Sequence, residues 1–211
     1  MISSICAGSI ALIASKPDYV LPQNIILMIV LGIVLFLSII FVSGYCIACG
    51  LSLQHLPAWQ SWKHLKTGIL ASCIGLLYSI PFLLLFFTVI GPEQLNAAVI
   101  EPSMSVTLVM MLGLFTFYLI PVAILTTMKE KNFKACLNGM VILKKSFSSN
   151  YPLAFLVSFV YTFLFIFLVS YLEQWPLAAM IASSFVGFAL RVTSMTLYGE
   201  ALQEIEIVKN D

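Results

Sequence analysis

Apolar positions along this chain fall into five blocks, at residues 24–46, 68–90, 106–127, 152–172 and 176–197. Each is long enough to cross a hydrocarbon core of about 30 Å as a helix rising about 1.5 Å per residue. Pro81 and Pro121 interrupt the second and third, the fourth is unusually aromatic, and the first four contain no charged residue. The apolar residues run on without the period-two alternation of a membrane barrel, and in lipid only helices and closed barrels satisfy their own backbone groups. The pattern predicts an all-α integral membrane protein with about five transmembrane helices, forming a single polytopic membrane domain over residues 1–211.

Three further segments modify this picture. Residues 1–15 form a shorter apolar stretch ending at Lys16, with no basic residue before it. It is therefore a poor secretory signal and short for a span. It reads as a re-entrant or interfacial segment, with an uncleaved sixth span or a removed signal as the alternatives. Residues 52–67 place Leu53, Leu56, Trp59, Trp62 and Leu65 at three- to four-residue spacing among Gln54, His55, Gln60, Lys63, His64 and Lys66. That is the pattern of an amphipathic helix whose tryptophans suit the headgroup layer. Residues 129–150 place Phe133, Cys136, Leu137, Met140, Val141 and Leu143 among lysines, and a second amphipathic helix is expected there. The plain reading of both is a positively charged connection lying on the membrane, held by apolar burial and attraction to anionic lipid; the alternative is a docking surface for a partner protein.

Composition agrees with the pattern. Hydrophobic residues make up 61% and charged residues 9%, against about 25% charged in an ordinary soluble domain, and the mean hydropathy is +1.07. Ten Lys+Arg against nine Asp+Glu leave no basic surface for nucleic acid. The distribution of charge is more informative than its sum. Lys63, Lys66, Lys129, Lys131, Lys134, Lys144, Lys145 and Lys209 all fall on one side of the expected topology, whereas the other connections carry Glu93, Glu101 and Glu173 and no base. The positive-inside rule puts the lysine-bearing segments in the cytoplasm. Five spans then leave the N-terminus outside, and a re-entrant first segment would reverse that. The five cysteines, odd in number and mostly in or beside apolar runs, imply no disulfide framework.

Several of these residues together resemble a known family. Gly44-Tyr45 closes the first long apolar run; Leu56-Pro57-x-Trp59-x-x-Trp62, Leu65, Gly68 and Tyr78-x-x-Pro81 follow. This order is similar to the signature of the domain of unknown function 4013 family, membrane proteins in which a GY is followed by an LPxW amphipathic stretch and a span containing Y-x-x-P. Lys131-Asn132-Phe133-Lys134-Ala135-Cys136 resembles the family's phenylalanine-alanine segment, which is normally more acidic, and Leu197-Tyr198-Gly199-Glu200 resembles its closing segment. The similarity covers about residues 19–203, with LPxWxxW the most specific element, and the chain departs from the family in being nearly free of arginine. The resemblance implies a membrane fold and transfers no catalytic residue.

Candidate sites are few. Arg191 is the charge that lies within a span, where insertion costs about 2.5–3.5 kcal/mol at the helix centre. It is expected to snorkel to the cytoplasmic interface or to pair with Glu200, and a transport, ligand or subunit contact is the alternative. Cys46-x-x-Cys49 could serve redox or metal chemistry, but a structural zinc site needs four ligands, and the thiols are read as packing groups. Tyr78-x-Ile80-Pro81 and Tyr118-x-Ile120-Pro121 repeat one motif in adjacent spans. A paired transporter hinge is weighed there against ordinary membrane prolines. Ala179, Ser183 and Gly187 form a small-residue stripe on the fifth span, and Gly44 with Ala48 a shorter one on the first; both permit close helix approach. Trp59, Trp62, Lys63 and Lys66 are the candidates for membrane-interface or partner contact. No GxSxG, P-loop, HExxH or paired intramembrane carboxylate is present.

The expectation is a non-enzymatic accessory or assembly subunit that acts by helix packing within a larger membrane complex. It would use no cofactor or metal, bind no nucleic acid, contact the lipid bilayer and other membrane subunits, and have the option of homo-oligomerisation. Its expected place is a prokaryotic inner (plasma) membrane. The alternative is a small homo-oligomeric permease or carrier.

Overall fold

A computed structural model describes residues 22–52, 57–58, 60–89, 104–148, 150–171 and 175–208. The described chain is all helix, without strands: α1 (Pro22–Ser52), α2 (Ser61–Val89), α3 (Met104–Glu130), a 3₁₀ turn (Phe133–Leu137), α4 (Gly139–Ser146), α5 (Asn150–Ser170) and α6 (Pro176–Val208). Five of these helices are long and apolar enough to cross a membrane. The N-terminal segment expected to be re-entrant lies outside the described residues.

The helices overrun the apolar blocks. α1 continues through Cys46 to Ser52, and α2 begins at Ser61 instead of Gly68. Past Cys46 the residues Ile47, Ala48, Cys49 and Leu51 are still apolar, whereas α2 extends into the polar residues before Gly68 because each residue added to a nucleated helix gains a backbone bond. The amphipathic helix expected over residues 52–67 is modified accordingly. Its described part, from Ser61, is the opening of the second spanning helix and not a separate interfacial one.

The second lysine-bearing connection is helical in two short pieces. Lys131 takes a left-handed φ of 50° and ends α3. Asn132 caps the 3₁₀ turn through its side chain, which accepts from Lys134 N at 3.0 Å. Asn138 caps α4, accepting from Val141 N at 3.4 Å. Both satisfy amides that a helix start leaves unpaired.

Residue contacts divide the chain into two compact units. The first holds the described residues up to Ile69 together with Leu153–Glu200; the second holds Leu70–Pro152 and the described residues from Ala201. The division falls within α2, α5 and α6, not in a linker. Burial is uneven along each helix. Pro121 to Thr127 of α3 are all buried, whereas Leu108, Met111, Leu114 and Phe117 are exposed. In α1 the buried residues Ile40, Cys46, Ile47 and Cys49 follow the exposed Ile29, Ile33 and Phe36. The large exposed apolar side chains of the spanning helices are the lipid-facing surface of a membrane protein, where a helix apolar all round needs no further partner.

Candidate functional site

In the first unit, three glycines fix how closely helices approach. A Cβ on Gly44 of α1 would lie 1.8 Å from the His64 carbonyl oxygen, and one on Gly68 of α2 would lie 1.9 Å from the Ile40 carbonyl oxygen. Ile40 and Gly44, one turn apart, thus meet His64 and Gly68, also one turn apart, backbone against backbone. A third contact joins α1 to α6, where a Cβ on Gly199 would lie 1.8 Å from the Gly50 carbonyl oxygen. Small residues allow such approach, and dispersion and weak C–H···O contacts reward it.

His64 is sealed by this crossing. It is buried, its ring meets Tyr45 edge-on at 5.3 Å and Phe41 edge-on at 6.0 Å, and Nε2 lies 3.2 Å from the Ala58 carbonyl oxygen. Trp62, Lys63 and Lys66 occupy the exposed remainder of the same helical turns, with the Lys66 ammonium 5.3 Å from the Trp62 ring, within cation–π range. Trp59 lies outside the described residues.

The small-residue stripes behave differently from each other. Gly44 is a close contact, but Ala48 is only half-buried, and α1 meets α6 at Gly50 instead. Ala179, Ser183 and Gly187 do not form a tight seam with other described residues. They line an open cleft of about 420 Å³ opposite Phe165, Ile166 and Val169 of α5, and a Cβ on Gly187 would meet nothing within 4 Å. The stripe permits close helix approach, and among the described residues no helix of this chain makes that approach at Gly187.

Arg191 and Glu200 are both exposed, and their expected pairing is corrected. Nine residues on one continuous helix place them on opposite faces and roughly 13 Å apart along the axis. Cys46 and Cys49 are both buried. Among the described residues no three His, Cys, Asp or Glu side chains come together as a metal site would require. Polar groups inside the first unit engage one another: Ser158 Oγ of α5 donates to Ser194 Oγ of α6 at 2.5 Å, and Phe155 stacks on Tyr198 at 6.2 Å.

In the second unit the repeated tyrosines have a shared task that the sequence reading missed. Tyr78 donates its hydroxyl to the Cys136 carbonyl at 2.6 Å, and Tyr118 donates to the Ser146 carbonyl. Each motif tyrosine thereby holds the end of one short helical piece of the lysine-bearing segment. Tyr151, fully buried, donates in turn to the Tyr118 carbonyl at 2.8 Å. At the edge of this segment Lys145 Nζ lies 3.6 Å from Glu130 Oε1. Burial pushes the Cys136 thiol above its ordinary pKa, and the thiol donates to the Phe133 carbonyl at 2.9 Å. A bulky polar residue repeated at one spacing, beside a connection whose carbonyls need donors, was the available signal.

The model of the family described as Protein of unknown function (DUF4013) matches residues 26–173, more than two-thirds of the chain. The match includes the GY, LPxWxxW and Y-x-x-P elements and the lysine-bearing segment, and ends before Leu197-Tyr198-Gly199-Glu200. No curated protein and no solved structure matches.

Proposed function

The chain belongs to the DUF4013 family, and we propose that it is a non-enzymatic integral membrane accessory or assembly subunit, acting by helix packing within a larger membrane complex. The observation that carries this reading is the contrast between its small-residue seams. Gly44, Gly68 and Gly199 are closed against neighbouring backbone, whereas the Ala179–Ser183–Gly187 stripe is left open beside α5. A stripe of small residues on a membrane helix suits the close approach of another helix, and among the described residues none comes within 4 Å of a Cβ placed on Gly187. The engagement of Ser158 with Ser194 supports the non-enzymatic half of the reading, because a catalytic hydroxyl needs an adjacent base.

The same proposal places the protein in a prokaryotic inner membrane with its lysine-bearing segments in the cytoplasm, on the bias of lysines over acids in those connections.

Gly187→Leu tests the seam. A Cβ there meets nothing within 4 Å and borders the cleft beside α5, so the protein should insert and melt as before, while its complex in mild detergent dissociates to the lone chain on native electrophoresis. An unchanged complex in the variant removes the seam from the account.

A further inference from the structure

Residues 131–148 combine exposed apolar and exposed cationic side chains on one short segment. Along α4, Ile142 and Ser146 are buried, while Met140, Leu143 and, just beyond the helix, Phe147 are exposed at spacings that put them on one face. Met140 is 83% and Phe147 67% exposed. Facing water, such a face would be a costly apolar patch.

Its surroundings show what it faces. The Phe147 ring stacks on Phe115 at 6.5 Å and lies 6.1 Å from Tyr118. Phe115 belongs to the exposed apolar belt of α3, with Met111 and Leu114 beside it. The tyrosine hydroxyls on the Cys136 and Ser146 carbonyls hold the segment in that position. The exposed face of α4 therefore continues the lipid-facing surface of a spanning helix. Lys131, Lys134 and Lys144 are exposed on the same segment. Residues 131–148 contain no acid, and Glu130, just before them at the end of α3, is held by Lys145.

We infer that residues 131–148 form a binding site for anionic phospholipid. Met140, Leu143 and Phe147 enter the upper acyl region beside α3, and Lys131, Lys134 and Lys144 take the phosphodiester headgroups of the same leaflet. Cations just outside the hydrocarbon attract anionic lipid, and their stems can lie along apolar surface while the ammonium groups reach the phosphates. The inference stands whether or not the chain has a protein partner.

The test uses the full chain in a mild non-ionic detergent, titrated with phosphatidylglycerol or with phosphatidylcholine of the same acyl chains, and bound lipid is counted by native mass spectrometry. The wild type should retain phosphatidylglycerol at least about tenfold more tightly, with the preference falling as salt rises. Replacing the three exposed lysines together (Lys131→Gln, Lys134→Gln, Lys144→Gln) should abolish the preference without changing the melting temperature, and arginine at the same positions should restore it. Equal retention of the two lipids by the wild type overturns the inference, as does an undiminished preference in the glutamine variant. Competition by free glycerol phosphate as effective as that by lipid would assign the lysines to a soluble phosphate compound. Loss of a co-purifying protein from the glutamine variant, with lipid preference intact, would assign the surface to that protein. Either result also overturns it.

Discussion

Gly44, Gly68 and Gly199 each sit where a side chain would overlap a neighbouring carbonyl oxygen, so the backbone itself forms the contact surface. Gly44→Ala or Gly199→Ala must push two helices apart, and a cost of about 1–3 kcal/mol is expected, seen as a lower melting temperature in detergent. Gly187→Ala, with open space around it, should be neutral or slightly stabilising, since alanine is the better helix former. Equal melting of Gly44→Ala and wild type would contradict the crossing. Cys136 gives a second residue-scale outcome. Its raised pKa leaves less thiolate at neutral pH, and the side chain is 1% exposed, so a maleimide should modify it far more slowly in the folded protein than after unfolding. Fast labelling in the folded state would show that the segment opens. The sequence displayed Gly44 and Gly187 as the same small-residue pattern. What separates them is the neighbour each helix meets, which a one-dimensional pattern does not contain.

Helices were legible as elements because membrane length and apolar composition leave little choice. Their ends were not: the apolar run on α1 continues past Cys46 through Leu51, and α2 starts at Ser61, well before hydropathy rises at Gly68. The amphipathic periodicity over residues 52–67 was misread for the same cause, since Trp62, Lys63 and Lys66 are the exposed opening turns of α2. The lysine-bearing segment depends on two asparagine caps and two tyrosine hydroxyls. Tyr118→Phe removes the donor to the Ser146 carbonyl, and a loss of about 1 kcal/mol is expected for that bond. Amides in α4 should then exchange about fivefold faster, with amides of α6 unaffected. Tyr78→Phe should act likewise on the 3₁₀ turn through the Cys136 carbonyl. No change in exchange for either variant would mean that the two motifs do not clamp the segment.

Across the molecule, charge and burial follow the same polarity along the chain. The second half of α3, next to the lysine-bearing segment, is buried from Pro121 to Thr127, while its first half presents Leu108, Met111 and Leu114 outward. On the proposed topology, with that segment in the cytoplasm, Lys144→Cys should react with a membrane-impermeant maleimide in inside-out vesicles and not in intact cells. Labelling in intact cells would invert the topology. The membrane class and the family were readable from composition, spacing and the LPxWxxW element. The open seam beside α5 was not, because it depends on which faces the described helices leave uncovered. The central claim is that the protein works through association. It is tested most directly by extraction from its native membrane in mild detergent, native electrophoresis, and mass spectrometry of the band that contains it. The account predicts stoichiometric co-migration with one or more other membrane proteins. A lone monomer or homodimer that survives extraction unchanged would contradict it and favour a small carrier.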